Sequence, residues 1–377
     1  MCLQKGLYVS FDFEYNSAIL EKSISGIEKK IYYQIQTLKD YGYDMIFYNP
    51  YIKRNHSIEK FLRRMPFHYL KKWDFDYTIV EKLDFVYIRK MWFMDGDIIL
   101  FLKKVKQLNP NIKICLEIPT YPYDKEGKKW DMIPLKIKDR KWRKYLKNFV
   151  DRIITYSNDD MIFGIQTIKI SNAISFSDTQ RTKNNVPDNV INMIACGNLY
   201  YWHGFDRAIE GLAEYYQSNY DKELNLYIVG DGAEYITYKQ LIEKYHLQNH
   251  IFLIGSKYGK ELDEIYDKCS VGLDSMGRHR SNVFFNSSLK GKEYCAKGLV
   301  IISGVETELD YDKDYPYYYR VEADNTPVDF EKFLKFYNRL IRKEEIEEIQ
   351  NKIILYAKEK FDFKVAMNPV QKFIESE

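Results

Sequence analysis

Asn189–Gly232 reads NVINMIACGNLYYWHGFDRAIEGLAEYYQSNYDKELNLYIVGDG. It opens on a short apolar run, NVINMIACG, that ends in glycine. A helix-length segment over 205–217 follows, and a second apolar run, LNLYIVGDG at 224–232, closes the stretch. Two strand-length apolar runs joined by a helix form a crossover unit, which predicts parallel strands in one sheet with helices covering it.

The alternation continues downstream. A helix around 237–247 leads to HIFLIGS (250–256), a helix around 259–269 to SVGLDSM (270–276), and a helix from about Lys290 to Ala296 to LVIISG (299–304). The strand YYYRV (317–321) and two charged amphipathic helices end the chain. Upstream, GLYVSF (6–11) precedes a segment in which Ile27, Ile31, Ile35 and Leu38 share one helical face; Ser25 with Glu28 forms a capping-box pattern and Gly42 follows the end. DMIFYN (44–49), FVYIRK (85–90), a helix near 97–108, IKICLEIP (112–119), a basic helix, DRIITYS (151–157) and IQTIKI (165–170) complete the first half.

The polar, turn-rich SNAISFSDTQRTKNNVPD (171–188) interrupts the pattern and marks the domain boundary. The expected fold is therefore α/β, with two Rossmann-like, doubly wound parallel-sheet domains facing a cleft. An N-terminal domain covers 1–172, a linker 173–188, and a C-terminal domain 189–350; the helix over 351–377 is expected to pack back on the N-terminal domain.

With 377 residues, 45% of them hydrophobic, two cores of this size are affordable. The net charge of +3 argues against a nucleic-acid partner, so basic chemistry must be local. Five cysteines, Cys2, Cys115, Cys196, Cys269 and Cys295, show no paired metal-ligand spacing and fit a reducing cytoplasm. MCLQKGLYVSFDF lacks the apolar core of a signal peptide, and no run approaches the roughly 18 apolar residues of a membrane span. The 34 tyrosines fit half-buried strands as well as carbohydrate stacking.

The strongest local signal is SMGRHRSNVFFNSSLKGK (275–292), which holds Arg278, His279, Arg280, Lys290 and Lys292 and no acidic residue. It follows an expected strand and enters a helix capped by Ser287 or Ser288, placing Lys290 in the first turn. A lysine there opposes the helix dipole at a cost of about 0.3–1 kcal/mol, and a bound anion reverses that sign. A diphosphate is one reading; an ordinary i,i+3 pair of Lys290 with Glu293 and solvated arginines is the other.

Five segments in order, ACGNLYYWHGFDRAIEGL (195–212), LYIVGDGAEY (226–235), IFLIGS (251–256), ELDEIYDKCSVGLDSMG (261–277) and SSLKGKEYCAKGLVIIS (287–303), resemble the retaining glycosyltransferases of GT-B fold. They are most similar to the family-4-like enzymes of bacterial capsular and surface-polysaccharide assembly. The resemblance implies a nucleotide-sugar co-substrate with no obligatory metal or other cofactor, and a glycan acceptor, expected to be lipid-linked. It implies that Glu293 receives the nucleotide ribose and that Lys290 contacts donor phosphate, with Lys290 and Arg278 or Arg280 stabilising the leaving diphosphate. It also implies donor contacts from His203, which alternatively is a structural histidine, and from Arg207. The loop before Ile27 resembles one that closes over donor phosphates, with Gly26 permitting close approach; a simple turn is the alternative.

Two departures stand out. Phe285 occupies the place of a glutamate usual eight positions before Glu293, and Asn198 and His203 stand where many relatives carry Arg and Lys. The GDG at 230–232 lacks the full dinucleotide fingerprint and reads as a structural turn. In the first half, LEIPTYPYDKE places Glu117, Thr120, Tyr121, Tyr123 and Asp124 together as an expected acceptor-facing loop; a proline-stiffened surface loop is the plain alternative. DFE at 12–14 and DFD at 74–76 lack the context of a metal site. Between Lys125 and Lys147, ten Lys or Arg oppose Glu126, Asp131 and Asp139, with Trp130, Trp142 and Leu146 interspersed. This patch suits an anionic membrane surface, expected to be the inner face of the cell membrane, or else a solvated helix. A nucleotide-sugar epimerase of the same architecture, or a noncatalytic transferase-like scaffold, are the rival functions.

Overall fold

The computed structural model describes residues 4–11, 26–50, 65, 73–90, 93–125, 132–176, 187, 189–218 and 220–376. They form two compact units, one of residues 1–170 with 366–377 and one of 171–365. The N-terminal unit carries strands β1 (Lys5–Val9), β2 (Asp44–Tyr48), β3 (Phe85–Arg89), β4 (Lys113–Ile118), β5 (Arg152–Thr155), β6 (Met161–Ile162) and β7 (Ile165–Lys169) in the order β2-β1-β3-β4-β5-β7-β6. Every pairing is parallel except the β6–β7 hairpin.

Both faces of this sheet are buried, which explains its continuous apolar runs. Leu7, Val9, Val86, Ile88, Leu116 and Ile118 face one core, under the helix Gly96–Leu108; Tyr8, Phe85, Tyr87 and Cys115 face the other. That second core is closed by Ile31, Ile35 and Leu38 of the helix Gly26–Asp40 and by Met367, Val370 and Ile374 of the helix Phe363–Glu375. Ile27, expected on the same face, lies in the first turn and is 49% exposed.

The C-terminal unit holds β8 (Val190–Cys196), β9 (Glu223–Val229), β10 (Ile251–Gly255), β11 (Val271–Leu273), β12 (Val300–Ser303) and β13 (Tyr318–Arg320), ordered β10-β9-β8-β11-β12-β13 and parallel throughout. The helices Phe205–Gln217, Tyr235–Lys244, Gly259–Tyr266 and Leu289–Ala296 are its crossovers. The two closing helices expected from the sequence are three: Phe330–Ile341, Ile346–Phe361 and Phe363–Glu375. Asp362 leaves the helical region at ψ 144° and its carboxylate accepts from the Lys364 backbone N–H, capping the last helix.

Candidate functional site

The loops after β9, β8, β11 and β12 stand side by side at the carboxyl edge of the C-terminal sheet, where open parallel sheets bind ligands. Backbone bonds lock each loop to the next: Leu199 N–H to Asp231 O at 2.8 Å, Met276 N–H to His203 O at 2.7 Å and Gly304 N–H to Ser275 O at 3.1 Å. Two glycines make this closeness possible. Gly230 has φ +143° and any Cβ there would lie 2.0 Å from Gly197 O; Gly204, at φ +65°, meets Gly277 N at 2.5 Å in the same way. The GDG segment is thus a turn that buttresses the β8 loop.

Over this floor, Asp274 follows β11 and accepts a 2.7 Å hydrogen bond from Ser288 Oγ. Ser288 is the N-cap of Leu289–Ala296, its oxygen accepting from Gly291 N–H. The other serine, Ser287, accepts from Asn172 N–H and donates to Glu308. The Lys290 ammonium donates to Ser275 Oγ at 2.8 Å and lies 3.7 Å from Asp274. Burial pushes the Lys290 pKa down; Arg278 adds to that and Asp274 opposes it. His203 is held well below the usual histidine range by burial and then by Lys290 and Arg278, while its ring bonds the Asn198 backbone. Its Nδ1 is buried without a hydrogen-bond partner among the described residues. Lys290, Arg278 and His203 thus converge near a helix start, where Arg278 disfavours charge on Lys290 and both disfavour charge on His203. An anion bound there would oppose these repulsions and add to what Asp274 supplies to Lys290.

Two expected cations do other work, and those expectations are corrected. Arg280 is locked on Asp206 by bonds of 2.9 and 2.7 Å and donates to Tyr201 O and Asn325, so its charge is already matched. Arg207 is 1% exposed, because it sits on the inward face of its helix, and donates to Thr326 O, to Met276 O and to Asp324. Both brace loops instead of facing a phosphate. Glu293 is half-buried in the same helix as Lys290. Phe285 is half-buried, bridged through its backbone to Glu306, with its ring 6.3 Å from that of Tyr311.

In the N-terminal unit, Gly26 starts its helix and is exposed; the loop preceding it, Ser25 of the expected capping box and DFE at 12–14 lie outside the described residues. Asp76 of DFD caps a short turn through Thr78. Glu117 is not a loop residue. It is the penultimate residue of β4, fully buried, ion-paired to Arg89 and to Lys30 and accepting from Gln34 and Tyr87, so the acceptor role expected of it is withdrawn. Asp124 is paired with Arg143 and Arg140, and Tyr123 donates to Asp139 with Lys90 over its ring. Thr120 and Tyr121 remain half-buried beside them. Glu126, Trp130 and Asp131 of the basic patch and most of the expected linker lie outside the described residues.

The sequence reading overlooked Ser275 and Asp274 as partners of Lys290, and the aromatic triplet Tyr200–Tyr201–Trp202. The triplet was visible in the sequence as three rings between Gly197 and Gly204. The serine and aspartate carried no such signal, since their partners are about fifteen residues away.

Residues 176–273 match the family described as Glycosyl transferases group 1, a match that ends with β11 at the threshold of the cationic loop. A comparison of the sequence with curated proteins finds no match. In structure the chain is similar to a glycosyltransferase from Rickettsia africae ESF-5, with a TM-score of 0.66 and 13% identity over 100% of this chain and 98% of that one. It is similar to Anabaena Alr3699/HepE in complex with UDP (TM-score 0.61, 11% identity, 100% of each chain) and to sucrose-phosphate synthase from Thermosynechococcus elongatus (0.62, 13%, 98% of each). At such identities the likeness is one of fold. The chain is an α/β protein of two parallel-sheet units with the GT-B architecture of glycosyltransferases. Its C-terminal unit contains the whole of the matched group 1 segment.

Proposed function

We propose that this chain is a retaining, family-4-like glycosyltransferase that moves a sugar from a nucleotide donor to a lipid-linked glycan in bacterial surface-polysaccharide assembly. The observation that carries the reading is the convergence of Lys290, Arg278 and His203 at the start of a helix capped by Ser288. Negative charge develops on the leaving diphosphate as its bond to the anomeric carbon breaks, and preorganised cations and N–H groups stabilise that charge. The acceptor hydroxyl attacks from the face the diphosphate leaves, its proton passing to the departing phosphate oxygen. Glu293 holds the ribose, and Thr120 and Tyr121 are the candidate acceptor contacts.

Alr3699/HepE is seen with UDP-glucose, which makes UDP-glucose the first donor to test. Lys290→Ala should weaken binding of UDP and UDP-glucose about tenfold or more, the loss of one charge-assisted hydrogen bond. Unchanged affinity across a nucleotide panel rejects the phosphate site. Product stereochemistry read by NMR tests the mechanism, and an inverted linkage rejects retention.

A further inference from the structure

The β8 loop carries Tyr200, Tyr201 and Trp202, all half-buried, at the carboxyl edge of the sheet. The Tyr200 and Trp202 rings stack with centroids 4.5 Å apart and planes 26° apart, and Tyr201 meets Trp202 edge-on at 5.0 Å. Such a group at a loop tip is expensive to hold still unless the backbone beneath it is fixed. Here it is fixed from three sides: Arg280, clamped on Asp206, donates to Tyr201 O; His203 N–H closes a turn onto Tyr200 O; and Glu234 N–H and Asp231 O tie Leu199 to the neighbouring loop.

The stack is also adjacent to the cations. The His203 ring lies 6.2 Å from Tyr200 and 6.4 Å from Trp202, and a Cβ on Gly197 would touch both His203 and the Lys290 stem. A group bonded directly to a phosphate held by Lys290 therefore reaches the stack within about one ring's width. The flanking turn supplies Asp231, which is exposed, and Glu234, which is half-buried. Aromatic faces meet the C–H face of a sugar while carboxylates accept from its hydroxyls, a combination ill-suited to a second phosphate.

The geometry points to Tyr200 and Trp202 as a stacking platform for a pyranose ring, with Arg280 and Asp206 as its positioning pair. This inference rests on the donor-site reading above and deepens it. Each nucleotide sugar of a panel beginning with UDP-glucose is titrated against its parent nucleotide, and maltotriose is titrated in the presence of saturating nucleotide. Trp202→Ala should leave the parent nucleotide's affinity in place and remove about five- to tenfold of the sugar-dependent gain. Trp202→Phe should retain most of it. Loss confined to the nucleotide-sugar arm identifies the donor pyranose, and loss confined to the maltotriose arm identifies the acceptor's. If Trp202→Ala binds nucleotide normally and both sugar arms are unchanged, the platform is overturned. A wild-type chain that binds no nucleotide overturns the donor site itself, and with it the platform.

Discussion

Glu117 shows how much a single buried carboxylate can set. It is fully buried near the end of β4 between Lys30 and Arg89. Burial alone would raise its pKa, but Arg89, Lys30 and hydrogen bonds from Tyr87 and Gln34 outweigh that and hold it at about 2, against 4.5 ordinarily. The sign follows: its stabilising contribution is complete above about 4.5 and is lost as pH falls toward 2. Lys30 works on the other side of neutrality. Burial pushes it down to about 7, so the unfolded chain binds its proton more tightly and stability rises as pH climbs from about 7 toward 10.5. Glu117→Gln should cost about 3–5 kcal/mol in denaturant unfolding at pH 7, by leaving the buried Arg89 guanidinium without its carboxylate, and should flatten the acid limb. A loss under about 1 kcal/mol, with the acid limb intact, contradicts the assignment. The sequence shows Glu117 beside a loop of tyrosines and prolines; its true partners come from 28 and more residues away, beyond any local pattern. The partners of Arg207 and Arg280, Asp324 and Asp206, lie 117 and 74 residues off and leave no local pattern either.

The helix Ile133–Arg143 leaves part of its apolar surface facing outward. Leu135, Lys138 and Asp139 are buried, Asp139 accepting from Met94 N–H, while Ile133 and Ile137 stand 44% and 46% exposed one turn apart. Exposed Arg140, Lys141, Lys144 and Lys147 surround them, and Tyr145 follows at 39%. Two isoleucines framed by cations match an anionic lipid surface, at about 1 kcal/mol for each Lys or Arg near it. The protein should float with phosphatidylserine-containing vesicles and not with neutral ones, and Ile137→Glu should cut the bound fraction several-fold. No flotation of the wild type with acidic lipid removes the membrane proposal. Among the described residues no helix is long and apolar enough to cross a membrane. At this scale the sequence was most informative where burial is uniform: apolar runs such as those of β3, β4 and β8 mark strands buried on both faces. It was least so at corners. The β6–β7 hairpin turns on Phe163 and Gly164, both at positive φ, and phenylalanine gives no hint of that conformation. The break between the last two helices rests on one aspartate within a helix-favouring stretch.

At the scale of the whole molecule the chain's two units are closed by different helices. Helix Phe363–Glu375 passes from the C-terminal unit to the N-terminal one after Val365: Met367, Val370 and Ile374 are buried in the latter, Tyr43 donates to Glu375, and the Lys113 ammonium caps the carbonyls of Phe373 and Ile374. Ending the chain at Val365 would expose that face and should cost the N-terminal unit on the order of 5 kcal/mol. The C-terminal core, which closes on Phe361, keeps its own side chains. Every proposed donor contact except Gly26 also lies within 171–365, so a nucleotide that binds the folded unit adds stability there by mass action. Calorimetry of the full chain should therefore show a transition that saturating UDP raises and another that it leaves in place. Truncation should lower the second, with the UDP-dependent shift of the first preserved. A truncated chain in which the UDP-raised transition falls by the same amount as the other would mean that the last helix stabilises both cores, contrary to where its buried side chains lie.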